Sequence, residues 1–234
     1  MRRVIVLNEL AALIAAVRRD HPVRVAIDGV DGVGKTTLAD ELVAPLRKLG
    51  KQVIRASVDG FLNPASIRYR RGSLSALGYF LDSFNYGALK LNLLEPLGRN
   101  GSREYRTAVF DHRTDSEVVA VYRRAEVDDV LLFDGVFLQR KELQGCWDFV
   151  IWLEAGFEVT VSRAIARDLA QAGAGSADPA AVAERYAKRY TPGQRMYLDE
   201  CLPREKADVL VNNQDWSNPE IEIGASRQTS YRSG

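Results

Sequence analysis

The sequence predicts an α/β protein: a doubly wound, mostly parallel sheet with helices on both faces. Three observations predict it. Compact apolar runs alternate with helix-like segments along the chain, those runs are near-continuously apolar, and a glycine-rich turn joins the first of them to a helix. A strand covered on both faces has no polar side to show, and its parallel neighbour is reached through a crossover that is usually helical.

Taken in order, Leu7, Leu10, Ile14 and Val17 recur at helical spacing and predict an N-terminal helix. "VRVAID" then reads as a buried strand ending in Asp-Gly. "KTTLADELVAPLRKLG" is a helix closed by Gly50, which Pro45 should kink or shorten because its ring removes one backbone donor. "QVIRAS" (52–57), "DVLLFDG" (129–135), "DFVIWLEA" (148–155) and "ADVLVNN" (207–213) are further strands. In "YFLDSFNYGALKLNLLEPL", Asp82 or Ser83 is placed to cap a helix whose Leu and Tyr residues are core. "QAGAGSADPAA" (171–181) is a small-residue, flexible stretch. The expected organisation is one domain over 1–213, with a small helical lid at roughly 160–195 and a polar C-terminal tail over 214–234.

Composition narrows the function. Lys and Arg total 32 against 31 Asp and Glu, so no overall basic field draws the chain to nucleic acid or an anionic membrane, and any anion site has to be built locally. No apolar run reaches the about 18 residues of a membrane span, and Asn8 and Glu9 interrupt the N-terminal segment, so a cytoplasmic protein is expected. Cys146 and Cys201 lie far apart in no metal-type spacing and are read as reduced thiols.

Gly29, Gly34, Lys35 and Thr36 fit G-x-x-x-x-G-K-[ST] between a predicted strand and a predicted helix, the context in which this P-loop pattern has mechanical meaning. The glycines let backbone N–H groups turn inward around an anion, with Asp31, Gly32, Val33 and Thr37 completing the cradle. Lys35 reaches the β- and γ-phosphates, and the Thr36 hydroxyl ligates Mg²⁺. A nucleoside triphosphate, ATP with Mg²⁺, is the expected ligand.

Transfer of a phosphoryl group needs a residue that takes a proton from the acceptor. Asp59 follows the second strand, beyond the carboxyl ends of the strands, where ligands of such folds collect. It can act as general base, bind Mg²⁺, or do both, and an Asp before Gly also forms turns. Asp134 ends the strand "VLLFDG", where an acidic residue holds Mg²⁺ or its water. Arg163 and Arg167 fall four apart, on one face of the helix expected after "WLEAGFEV", and offer positive charge to the moving group.

The P-loop, "SVDGF", "LDSFNY", "FDHRTD", "LLFDGVFL", "RAIARD" and "ECLPREKADVLV", in this order over about residues 22–213, resemble the uridine kinase family, which is related to phosphoribulokinase and bacterial pantothenate kinase. The resemblance implies that Asp59 is the general base toward a sugar 5′-hydroxyl. It also implies that Asp134 is the strand-end acid and that Asp82, with Ser83 and Phe84, contacts the ribose. His112 stands near the family's base-reading residues, in a charged loop where a plain surface histidine is the other reading. Arg163 and Arg167 match the start of the family's arginine-bearing lid. The next lid arginines are missing, leaving Arg185, Arg189 or Arg195 as substitutes. The expected activity is Mg·ATP-dependent phosphorylation of a small hydroxyl compound, uridine or cytidine first.

Arg68, Arg70 and Arg71 in "NPASIRYRRG" are either a solvated loop or the anchor of an anionic acceptor, a sugar phosphate or pantothenate-like acid. A GTP-driven switch is the competing class. "NNQD" (212–215) stands where such proteins read guanine with N-K-x-D, but it lacks the lysine, and Asp134 meets Gly135 at once where D-x-x-G is required. The partners expected are a small-molecule substrate, no nucleic acid and no membrane, with a homo-oligomer left open.

Overall fold

The computed structural model describes residues 2–119, 121–172 and 177–224. Its main sheet is formed by β1 (Val23–Gly29), β2 (Val53–Ser57), β3 (Val130–Gly135), β4 (Phe149–Glu154), β5 (Val209–Asn212) and β6 (Glu220–Ile223). The spatial order is β6-β5-β4-β1-β3-β2. All neighbours pair parallel except β6, which runs antiparallel to β5.

Every residue of β1 and β3 is buried, as a strand covered on both faces requires. Alternate side chains enter two layers. Val25 and Ile27 join Leu10 and Ile14 of α1 (Arg2–Ala15), Leu38 of α2 (Lys35–Glu41) and Leu46 of α3 (Val43–Lys48). Ala26 faces the other layer, with Phe61, Tyr79, Phe137 and Tyr197. The predicted helix after the P-loop is split between α2 and α3: Pro45 has no N–H to give to Glu41, so the ladder breaks at that turn.

The polar tail expected over 214–234 is corrected in its first half. Residues 220–223 form β6, because "EIEI" alternates: Ile221 and Ile223 pack on the core while Glu220 and Glu222 face outward, the pattern of an antiparallel edge strand. Residues 225–234 lie outside the described residues, as do 173–176 of the small-residue stretch. Around that stretch α4 (Phe157–Ala172) ends and a helix over Pro179–Arg185 begins, its first turn capped by the Asp178 carboxylate. These helices share a small core of Ala164, Val182 and Tyr186, and the chain continues into Thr191–Cys201. The helix expected to be capped by Asp82 or Ser83 instead spans Ala76–Asp82 and is capped by Ser75, while Asn85 caps the next one. Tyr79 and Phe80 are core, but Leu77 and Leu81 are exposed.

Candidate active site

The parallel register sets the carboxyl ends of the strands side by side: Ile27 of β1 lies opposite Asp134, and Asp134 opposite Ser57 of β2. The segments leaving those ends line a cleft of about 1450 Å³. Its floor is the P-loop. Gly32 and Gly34 take φ of +75° and +100°, and a Cβ on Gly32 would sit 2.1 Å from the carbonyl oxygen of Thr160. Only glycine permits both the turn and that approach. Lys35 bends back over the loop and donates from Nζ to the Val30 carbonyl at 2.8 Å. Burial lowers its pKa, opposed by the charges of Asp31, Asp28, Asp134 and Asp59. Asp31 through Thr37 line the cleft, whereas Gly29 is packed behind it with its N–H given to Asp28.

Thr36 and Asp134, expected to share a metal, touch: the hydroxyl donates to Asp134 Oδ2 at 2.7 Å. Among the described residues no group of three or more His, Cys, Asp or Glu forms a metal cage. Mg²⁺ does not ask for one, since it is held by one or two carboxylates together with substrate phosphates and water. A hydroxyl and a carboxylate beside a phosphate cradle fit that demand, and Thr36 and Asp134 would hold the ion. When bound, Mg²⁺ supplies charge neutralisation at the phosphate oxygens.

Asp59 stands in a single 3₁₀ turn, Val58–Phe61, directly after β2. Its side chain opens onto the cleft, yet the surrounding walls shield it from bulk water, and this raises its pKa. The negative charges of Asp31 and Asp134 raise it further, while His112 and Lys35 oppose them. A carboxylate so placed, raised in basicity beside the P-loop, is suited to take a proton from an acceptor. His112 lines the same end of the cleft, with Tyr69 and Phe84.

The two lid arginines differ. Arg163 gives Nη1 to the Asn213 carbonyl at 3.0 Å and Nη2 to that of Gln214 at 2.8 Å. Arg163 also lines the cleft, with its guanidinium engaged by the turn after β5. Arg167 is half exposed in the cleft, paired with its neighbour Asp168 and 3.3 Å from the Tyr186 hydroxyl. Replacing it is expected to lower kcat more than it raises KM for ATP, because charge on the moving group grows toward the transition state. Steady-state kinetics of Arg167→Ala check this, and a loss confined to ATP affinity assigns Arg167 to binding alone. Of the proposed substitutes, Arg189 is buried against the carbonyls of Ser75, Ser73 and Arg68, and Arg195 lies over the Phe157 ring, leaving Arg185 exposed on the cleft.

Asp82 is not on the cleft. It is 4% exposed and its carboxylate is held by Arg70 at 2.5 Å and Arg71 at 2.7 Å. Those hydrogen bonds, led by that of Arg70, hold its pKa below the usual range. The ribose contact implied by the resemblance is therefore corrected for Asp82, while Ser83 and Phe84 do line the cleft, and two of the three clustered arginines are half exposed but ion-paired. Arg70→Ala and Arg71→Ala are expected to leave the acceptor KM nearly unchanged. Each is expected to shift the melting temperature little, since both guanidinium groups are about half exposed. Acceptor titrations and thermal melts read the two effects separately.

Several site residues escape a reading of the sequence. Asp28 is fully buried beneath the P-loop, where burial pushes its carboxyl up to about 6, against hydrogen bonds from Tyr197 and the Gly29 N–H and the charge of Lys35. The available signal was a polar residue inside the apolar run "VRVAID". Arg55 neutralises Asp134 at 2.9 Å from an otherwise ordinary strand. Asp31 accepts from Tyr79 at 2.9 Å and from Gln194 at 2.8 Å, tying the P-loop to two helices distant in sequence.

Fold and site together define a P-loop phosphotransferase. Residues 25–215 match the phosphoribulokinase / uridine kinase family, so the chain belongs to that family and is a P-loop kinase. Solved structures with the same fold include a "Possible Uridine Kinase" from Bacillus stearothermophilus, at 24% identity and TM-score 0.68, covering 90% of this chain and 99% of that one. D-glycerate 3-kinase from Cryptococcus neoformans follows at 12% identity and TM-score 0.58, over 90% and 92%. Phosphoribulokinase from Rhodobacter spheroides matches at 16% identity and TM-score 0.52, over 82% and 70%. No curated protein sequence matches the chain. Among the described residues no helix is long and apolar enough to cross a membrane.

Proposed function

We propose that the chain transfers the γ-phosphoryl group of Mg·ATP to the hydroxyl of a small molecule, with the 5′-hydroxyl of uridine or cytidine as the leading acceptor. The observation that carries the reading is one cleft in which Asp59 faces the P-loop lysine and the Thr36–Asp134 pair. In this reading Asp59 accepts the hydroxyl proton, Lys35 and Arg167 balance charge on the phosphates, and Thr36 and Asp134 hold the metal. The nucleoside is supported by Tyr69, Phe84 and His112 on the acceptor side, flat groups suited to a base.

One observation favours a second reading, an anionic acceptor such as a sugar phosphate or pantothenate-like acid. Arg68 lines the cleft with its Nε buried and without a hydrogen-bond partner, although its Nη2 pairs with Asp115 at 2.8 Å. A cleft-lining guanidinium with a donor unspent adds positive charge that an oxyanion would favour. The guanine-reading alternative loses support, because Asp215, at the acidic position of that motif, accepts from Ser217 N and Oγ at 2.9 and 2.7 Å.

Coupled ADP release with a panel of nucleosides, sugar phosphates and pantothenate tests the proposal. Turnover with uridine or cytidine is the expected result. Turnover with the anions alone moves the assignment to the second reading, and acceptor-independent GTP hydrolysis overturns both.

A further inference from the structure

The family match stops at residue 215 and starts at residue 25, yet a side chain from each flank lines the cleft: Arg3 of α1, and Trp216. Arg3 is only 12% exposed along its side chain. It donates from Nη2 and Nε to Glu41 of α2, at 2.5 and 2.9 Å from Oε2. Its Nη1 donates to the Trp216 carbonyl at 2.6 Å and lies 3.4 Å from Asn213 Oδ1. From another side Arg163 grips the carbonyls of Asn213 and Gln214, and Asn213 is bonded to the P-loop at Val33. Within the turn, the Asp215 carboxylate accepts from Ser217 N and Oγ at 2.9 and 2.7 Å. Two arginines, a P-loop carbonyl and an internal cap therefore fix the turn 213–216.

What this rigid turn presents is an indole left 62% exposed. Its ring stacks on no other ring among the described residues. Leaving a large apolar face in water is unfavourable, and the hydrogen bonds to the carbonyls of Asn213, Gln214 and Trp216 fix the backbone that carries it beside the cleft. A planar aromatic ligand would cover that face by stacking. The cleft already fixes the direction: Asp59 and His112 mark the acceptor end beyond the P-loop, and the turn carrying Trp216 is bonded to the P-loop itself.

We propose that Trp216 is the seat of the donor's nucleobase, and that Arg3, reaching over from α1, is the positioning residue that holds this seat against α2. The inference rests on the nucleotide-binding half of the proposed function. It extends the donor site beyond the matched residues to both flanks of the chain. The seat recognises a flat heteroaromatic ring by its face, so by itself it favours nucleotides over bare polyphosphate and does not choose among bases.

Calorimetric binding of Mg·ATP and of magnesium tripolyphosphate to the full chain tests it. Trp216→Ala is expected to weaken ATP about 5- to 150-fold, the usual worth of a base–aromatic stack, and to leave tripolyphosphate unchanged. Trp216→Phe should restore most of the loss. Arg3→Gln should weaken ATP about tenfold, the worth of one ordinary hydrogen bond, again without touching tripolyphosphate. Lys35→Ala should weaken both ligands. Unaltered ATP affinity in Trp216→Ala overturns the inference, as does an equal loss of both ligands. A wild-type chain that binds neither ligand sinks the inference and the kinase reading together, whereas wild-type binding with an indifferent Trp216 sinks the inference alone. Should Arg3→Gln fail to fold, the two Trp216 variants, at an exposed position, decide the matter.

Discussion

Asp59→Asn is expected to leave ATP bound and to lower kcat by about 10²- to 10⁴-fold, the usual contribution of a general base. Asn keeps the shape and one acceptor oxygen but takes no proton. It also preserves the Val58–Phe61 turn, because the Ser57 hydroxyl meets the backbone N–H of residue 59 and not its side chain. Near-normal turnover would make Asp59 a turn former before Gly60 and nothing more, since Asn serves such turns equally well.

The pH dependence separates two roles for the same carboxylate. A general base works ionised, so activity falls as pH drops through its pKa. Shielding inside the cleft, with Asp31 and Asp134 nearby, places that acidic limb above the ordinary aspartate range. Asn removes the limb. Raising Mg²⁺ opposes the repulsion from Asp134, so the limb moves to lower pH if the ion sits beside both carboxylates and stays where it is if Asp59 never meets the metal. A loss larger than the general-base range, with a raised Mg²⁺ requirement in Asp59→Asn, assigns the carboxylate a metal role as well.

The framework of this cleft was legible because it is periodic or local. Buried parallel strands read as apolar runs, and a P-loop is a contiguous string with a strand before it and a helix after it. What sequence did not yield is the pairing of charges between distant segments. Asp82 stands where the resemblance expects a ribose contact, but Arg70 and Arg71, twelve and eleven residues upstream, already occupy its carboxylate. Arg163 has the spacing of a lid arginine and spends its guanidinium on a turn fifty residues away. Helical spacing decides which side chains share a face, and says nothing of what waits opposite that face. The same holds for β6: an alternating "EIEI" in a polar context reads as tail until the exposed edge of β5 gives it a partner. Arg3 shows the limit from the other direction, a plain basic residue at the start of an amphipathic helix whose role exists only because Glu41 and the turn at Trp216 fold up to it.

Lys35→Ala is expected to abolish transfer, with kcat/KM down by about a thousandfold or more, a loss of the size seen when a cationic group is withdrawn from a phosphoryl transition state. The ammonium is buried, its charge facing those of Asp31, Asp28, Asp134 and Asp59, of which Asp28 and Asp134 are buried with it. Without it the phosphates lose their buried cation and meet stronger repulsion from Asp31 and Asp59, so ground-state affinity for ATP falls along with the rate. Arg at this position is not expected to rescue. The Lys35 Nζ curls back to the Val30 carbonyl inside the loop, at 2.8 Å, and a planar guanidinium on a stiffer fork does not fit that bend. The fold should survive the alanine, because burial already penalises the charged amine and its one hydrogen bond goes to a loop carbonyl. Circular dichroism and thermal melting of Lys35→Ala are therefore expected to match the wild type while calorimetry shows weakened ATP and the coupled assay shows no ADP release. Full activity in this variant would end the kinase reading, and a cooperative transition lost altogether would make Lys35 a folding residue first.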